Sequence, residues 1–149
     1  MTRMILVGLF ACLMATSIVV AVLASHNWNP KEFIFEGSSF KNGDQDENLG
    51  YDGQFAYYIV LDPWGAAPRT DLAAYRYQRV LYPLSVWLLA IGGQPFLVPW
   101  AMILINIIAI TAATIFLGEI LVSNGAVQAW HALVFPLIAG VCLSAWHLW

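Results

Sequence analysis

Hydrophobic and polar positions alternate along this chain in long blocks rather than short ones. Met4 to Ala24 is a 21-residue apolar run with no charge, preceded by Arg3. Ser25 to Arg79 is polar and broken by turn signals at Asn29-Pro30, Asn42-Gly43, Asp62-Pro63 and Ala67-Pro68. Val80 to Ile91 is a short apolar stretch containing Pro83, closed by Gly92-Gly93-Gln94-Pro95. Phe96 to Val122 and Ala126 to Trp149 are two further long apolar runs, separated by Ser123-Asn124-Gly125. A span of the hydrocarbon core takes roughly 20 apolar residues. Three runs meet that length, and Val80 to Ile91 does not.

The pattern predicts an all-α integral membrane protein with three transmembrane helices and a long external loop carrying interfacial helices. Residues 1–24 form the first helix, 25–95 the loop, and 96–149 a transmembrane hairpin kinked at Pro136. Val22-Leu23-Ala24 also has the small-residue pattern of a signal-peptidase site, but the run is read as a retained first helix. Arg76 and Tyr77 followed by Leu84 and Trp87 suit a helix lying in the interface. Phe33, Ile34, Phe35 and Phe40 are too apolar for a solvated loop and are expected against the membrane surface or a partner. Asn106 and Glu119, polar groups in an apolar helix, are expected to face protein rather than lipid.

Composition agrees with a membrane setting. Of 149 residues, 60% are hydrophobic and 10% charged, against about 25% charged in soluble domains. The net charge of -3, with no basic block, argues against nucleic acid as a partner. The loop holds five of the six basic and eight of the nine acidic residues. Counting Lys and Arg would place it in the cytoplasm. Long loops translocate largely regardless of charge, however, and the export-like N-terminal run favours an external loop. Cys12 and Cys142 fall in separate apolar runs and read as packing residues. Gly8, Gly118 and Gly140 permit close helix approach.

Candidate chemistry concentrates in the loop. In Gly50-Tyr51-Asp52-Gly53-Gln54-Phe55-Ala56-Tyr57-Tyr58 an acidic residue lies between two glycines, among aromatics. That arrangement suits sugar handling, and equally an interfacial loop with aromatic anchors. Arg76 and Arg79, three apart, share a helical face. They could clamp a phosphate or anchor lipid head groups. Asp44 and Asp46 have the spacing of a calcium loop's first ligands, which makes a divalent metal one option. Leu49 replaces the glycine such a loop requires, and Phe55 its bidentate glutamate, so a solvated acidic turn is the preferred reading. His131 and His147 could each ligate a haem or chlorophyll metal, with interfacial hydrogen bonding as the plainer role.

The order of these features, with Tyr51-Asp52-Gly53-Gln54-Phe55 in the first loop and Tyr82-Pro83-Leu84 after it, resembles the N-terminal part of GT-C-fold glycosyltransferases. The likeness is to bacterial inner-membrane proteins similar to the PIG-V mannosyltransferases. The resemblance implies that Asp52 matches the catalytic acid of the first external loop. It also implies a polyprenyl-phosphate sugar donor, with Arg76 and Arg79 near the lipid phosphate. Such enzymes carry many more helices than three, and the turn between the last two helices is usually basic in them. The expectation is therefore a multi-pass subunit, non-catalytic at this length, with a structural or assembly role in a larger membrane complex of respiratory or photosynthetic type. The alternative is a catalytic glycosyltransferase, or part of one.

Overall fold

A computed structural model describes residues 2–37, 39–40, 50–125 and 128–138. Every regular element among them is helical. In chain order these are α1 (Thr2–Ser25), a 3-10 turn (Pro30–Phe33), α2 (Gly53–Leu61), a 3-10 turn (Ala67–Arg69), α3 (Ala73–Gln78), α4 (Leu81–Leu89), α5 (Val98–Ser123) and a 3-10 segment (Ala129–Leu137). The chain divides into two compact units, Asn29–Met102 and Met1–Trp28 with Ile103–Trp149.

The second of these units contains α1 and most of α5. Both helices are long and apolar enough to cross a membrane. At 1.5 Å per residue they reach about 36 and 39 Å, against a hydrocarbon core of about 30 Å. The chain covers little of them. Within their most apolar windows, 33% of α1 and 28% of α5 is buried. A helix in the core of a soluble protein would be mostly covered. On α1 the buried positions Val7, Ala11, Ala15, Val19 and Leu23 recur every four residues, so they form one stripe. Leu9, Phe10 and Leu13, off that stripe, are exposed. At Gly8 the two helices come close: a Cβ there would fall 2.7 Å from Ile115 Cδ1.

The run expected as a third span behaves differently where it is described. Gln128 is extended, Ala129–Leu137 is a 3-10 helix, and Ile138 is extended again with ψ 129°. Nine residues at about 2.0 Å each reach only about 18 Å. Pro136 lies inside the segment and has no N–H to donate to a helical ladder. The segment packs Ala129 and Ala132 on Val7 of α1, with Trp130 edge-on to Phe10 at 5.6 Å. The described residues therefore give two helices of spanning length, and a third span is not among them. Gly140, Cys142 and His147 lie outside the described residues.

Glu119 is exposed in this chain, one turn from the end of α5. At that position a carboxylate can reach out towards water past the helix end. Asn106 is half-buried. The hydroxyl of Thr114, fully buried, donates to the Ile110 carbonyl of its own helix at 2.8 Å, which satisfies it without a partner helix.

The unit Asn29–Met102 is organised around α2. Six of its nine residues are buried: Gln54, Phe55, Tyr57, Tyr58, Ile59 and Val60. α4 packs against it, burying Pro83 and Val86. Phe33, Phe35 and Phe40 are half-buried and Ile34 is 1% exposed. Phe40 meets the Phe55 ring edge-on at 5.0 Å. Ile34 and Phe40 thus contribute to the unit's own core, while Phe33 and Phe35 are only partly covered by it. Pro83 falls in the first turn of α4, where its missing N–H interrupts nothing. α4 ends in a run of left-handed residues, Ile91, Gly92 and Gly93.

The turn before α2 depends on Gly50. Its φ is +67°, and a Cβ there would fall 2.3 Å from the Gly37 amide nitrogen. Gly53 differs: it begins α2 without a positive φ, and a Cβ would meet nothing closer than 3.6 Å. Gly50→Ala is therefore expected to destabilise the protein by about 1–3 kcal/mol. Gly53→Ala should be neutral or stabilise by up to about 1 kcal/mol. Thermal unfolding of the two variants in the same detergent compares them directly, and equal losses would contradict this account of the turn.

Candidate functional site

Asp52 stands at the N-cap position of α2, with helical backbone angles of -53° and -30°. Capping residues ordinarily have extended angles and bond the first turn with their side chain. Asp52 makes no such bond. Its Oδ1 instead accepts a hydrogen bond of 2.9 Å from Arg76 Nη2, 24 residues on. The side chain is 60% exposed, and Oδ2 makes no hydrogen bond among the described residues.

Arg76 lies in α3, a helix of six residues. Its side chain is only 11% exposed. The guanidinium lies over the Phe55 ring of α2, 4.2 Å from its centre, which is cation–π distance. Asp71, just before α3, receives Arg76 Nε at 2.7 Å on Oδ1 and Nη2 at 2.8 Å on Oδ2. Asp71 Oδ1 also accepts the Leu72 amide at 2.7 Å. The hydrogen bond from Arg76 is the main reason the Asp71 carboxyl falls to about 2. The same two carboxylates push the Arg76 guanidinium further up, with Asp71 the larger influence.

Arg79, the other half of the expected phosphate clamp, follows α3 directly. It hydrogen-bonds the Tyr75 hydroxyl and lies 4.4 Å from the centre of that ring. Both arginines flank Tyr75, but their commitments differ. Arg76 is neutralised by two carboxylates, while Arg79 is exposed and makes no ion pair among the described residues.

Two features support the site from behind. Gln54, fully buried, accepts the Gly37 amide at 2.9 Å and so ties residues 35–37 to the turn that carries Asp52. The Tyr51 amide donates to the Phe35 carbonyl at 3.2 Å on the same seam. Further along α2, burial and then the carboxylate of Glu36 push the Tyr58 hydroxyl up to about 12. An apolar cavity of about 270 Å³ opens between α2 and α4, lined by Ile59, Trp64, Val80, Leu84 and Trp87 among others. Ile59 is seven residues along the chain from Asp52, about 10 Å by helical rise. Trp64, on the Asp62-Pro63-Trp64-Gly65 turn, is 95% exposed. The turn is closed by the Gly65 amide donating to Asp62 Oδ1 at 2.8 Å.

The structure thus joins Asp52 and Arg76 directly and leaves Arg79 beside them. Asp71 is the residue that sequence reasoning missed. A carboxylate five residues before an arginine matches no helical pairing, because the helix begins between them. The one available signal was an acidic residue at the threshold of a short Tyr- and Arg-containing segment. Asp44, Asp46 and His147 lie outside the described residues. His131 is exposed on the Ala129–Leu137 segment. No group of three His, Cys, Asp or Glu side chains suited to a metal occurs among the described residues.

The ion-pair geometry sets a pH dependence. Asp71 falls from 3.8 to about 2 in the folded protein, so its contribution to stability is present above 3.8 and is lost as the pH falls towards 2. Arg76→Met removes the cause. The variant should melt at a lower temperature near neutral pH, and its melting temperature should vary less with pH in that acid range. Melting curves at matched pH values test this, and parallel curves for the two proteins would contradict it.

Comparison of the chain with protein-family models, curated proteins and solved structures finds no match in any of the three, so the geometry of Asp52, Arg76 and Asp71 carries the functional reading.

Proposed function

We propose that this chain is a membrane-embedded module of GT-C glycosyltransferase type, in which the Asn29–Met102 unit is external and Asp52 serves as the general base. One observation carries the reading: Asp52 is held by a single oxygen and leaves the other open to solvent. An aspartate serving only its own turn would bond the backbone amides of the helix it precedes, and Asp52 does not. A carboxylate aimed by a fixed partner, with a free oxygen, is the geometry a base requires.

In the proposed reaction the acceptor hydroxyl gives its proton to Asp52. Its oxygen bonds to the sugar's anomeric carbon, and the bond from that carbon to the donor phosphate breaks. The phosphate leaves with the bonding electron pair, on a polyprenyl carrier. Arg79 is the cation left to meet that phosphate, since Arg76 is already paired with two carboxylates. The cavity between α2 and α4 is apolar enough to accept hydrocarbon. The bilayer is the setting proposed for α1 and α5, in a bacterial cytoplasmic membrane.

A second reading, a non-catalytic subunit of a larger membrane complex, draws on the uncovered faces of α1 and α5. About two thirds of their most apolar windows are open, and either lipid or neighbouring subunits could cover them.

A paired comparison separates the two. Asp52→Asn keeps an acceptor for Arg76 but cannot take a proton. Its exposed ion pair contributes at most about 1 kcal/mol, so the protein should fold and insert while a specific glycolipid disappears from the cells. Trp87→Ala should weaken folding or assembly and lower glycolipid only in proportion to protein. Unchanged glycolipid in Asp52→Asn, with loss of complex in Trp87→Ala, would favour the subunit. Orientation is tested in a background lacking Cys12 and Cys142. A membrane-impermeant maleimide should label Gln78→Cys in intact cells, and labelling only after lysis would put the unit in the cytoplasm.

A further inference from the structure

Arg76 has more hydrogen-bonding capacity than Asp52 uses. A guanidinium offers five N–H donors in a rigid plane. Two of its nitrogens, Nε and Nη2, are taken by the two oxygens of Asp71 at 2.7 and 2.8 Å. This is a two-point fork, and it fixes the plane of the group as well as its place. Asp52 receives one bond, from Nη2, the nitrogen already shared with Asp71.

Consider the same loop without the fork. Arg76 lies in a six-residue helix, and its long side chain has rotamers to choose from. A guanidinium facing a lone carboxylate prefers two parallel bonds to one. It would turn to chelate Asp52 through both oxygens, and neither oxygen would be left free of a bond to the guanidinium. With Asp71 present, that rotation breaks two short bonds to make one more. Charge acts in the same direction. One guanidinium between two carboxylates leaves the trio at a net charge of minus one, whereas an Arg76–Asp52 pair alone would be neutral. Phe55 supports the group from below at 4.2 Å, and its ring has no polar atom to compete for donors.

We infer that Asp71 is a positioning residue for Asp52: by holding Arg76 in a two-point fork it limits the Arg76–Asp52 contact to one oxygen and keeps Oδ2 of Asp52 open. The inference deepens the proposed base role and rests on it for its functional consequence. The fork itself can be tested without any sugar transfer.

The experiment uses the full chain in lipid nanodiscs, labelled with ¹⁵N-arginine, alongside glycolipid content in cells expressing the same variants. In the wild type the Arg76 Nε–H signal should be shifted downfield and exchange slowly. Asp52→Asn should leave that signal in place, because Nε is bonded to Asp71. Asp71→Asn should move it or lose it to exchange, and Asp71→Glu should restore it in part. In cells, Asp71→Asn should lower the glycolipid by up to ~10²-fold, the scale of a misplaced reacting group, at unchanged protein level, with partial rescue by Asp71→Glu. If Asp71→Asn fails to insert, acidification of the wild type replaces it: the Arg76 signal should persist until Asp71 itself takes a proton. An Arg76 signal that follows Asp52→Asn instead of Asp71→Asn overturns the inference. So does a full glycolipid level in Asp71→Asn cells where Asp52→Asn abolishes it. If the spectra follow the expected pattern while Asp52→Asn cells keep their glycolipid, the base assignment fails and the fork stands.

Discussion

The guanidinium of Arg76 is the junction on which the local order of the Asn29–Met102 unit depends. It joins the entry of α2, through Asp52, to the threshold of α3, through Asp71, and rests on Phe55 between them. The group is 11% exposed, which places its charge where desolvation is costly unless it is paired. Two carboxylates and an aromatic face meet that cost. A six-residue helix has little stability of its own. α3 therefore holds its position through this contact and through Tyr77, whose hydroxyl donates to the Pro63 carbonyl at 2.9 Å.

Much of this was readable from the chain. Apolar runs of 20 or more residues located α1 and α5 to within a few positions, because length and lack of charge are properties of the run itself. The turn at Asp52 was readable from its glycines, although only Gly50 has the left-handed backbone that requires one. The described part of the third apolar run, Ala129–Leu137, was not readable in the same way. A 3-10 segment and an α-helix draw on the same apolar residues, and Pro136 decides between them only through the hydrogen bond it cannot make. Phe33 to Phe40 posed a related ambiguity. An apolar cluster in a polar loop can be buried by a membrane or by its own unit, and the choice depends on how much of α2 needs covering. Asp71 was hidden for a geometric reason: its pairing with Arg76 crosses a helix start, where sequence spacing says nothing about which side chains meet.

The comparison of Arg76 with Arg79 carries a wider point about counting cations. The two lie three residues apart and beside the same tyrosine, yet one is held by two carboxylates and the other is exposed. A count of basic residues treats them alike. For attraction of an anionic lipid, only the second contributes its full charge. Asp52 and Asp71 act on Arg76 before any outside anion does.

α2 is enclosed on nearly every side, with aromatic and branched residues from Phe55 to Val60 inside the unit and Ala56 among the smallest side chains it presents. A helix with so little solvent-facing surface frays mainly from its ends. Its amides should be the last of the unit to exchange with solvent, opening only when the whole unit opens. Asp52 is fixed to the first turn of that helix. That turn is the end at which fraying would begin, so the bonds from Arg76 to Asp52 and from the Gly37 amide to Gln54 are what keep the exposed carboxylate in place.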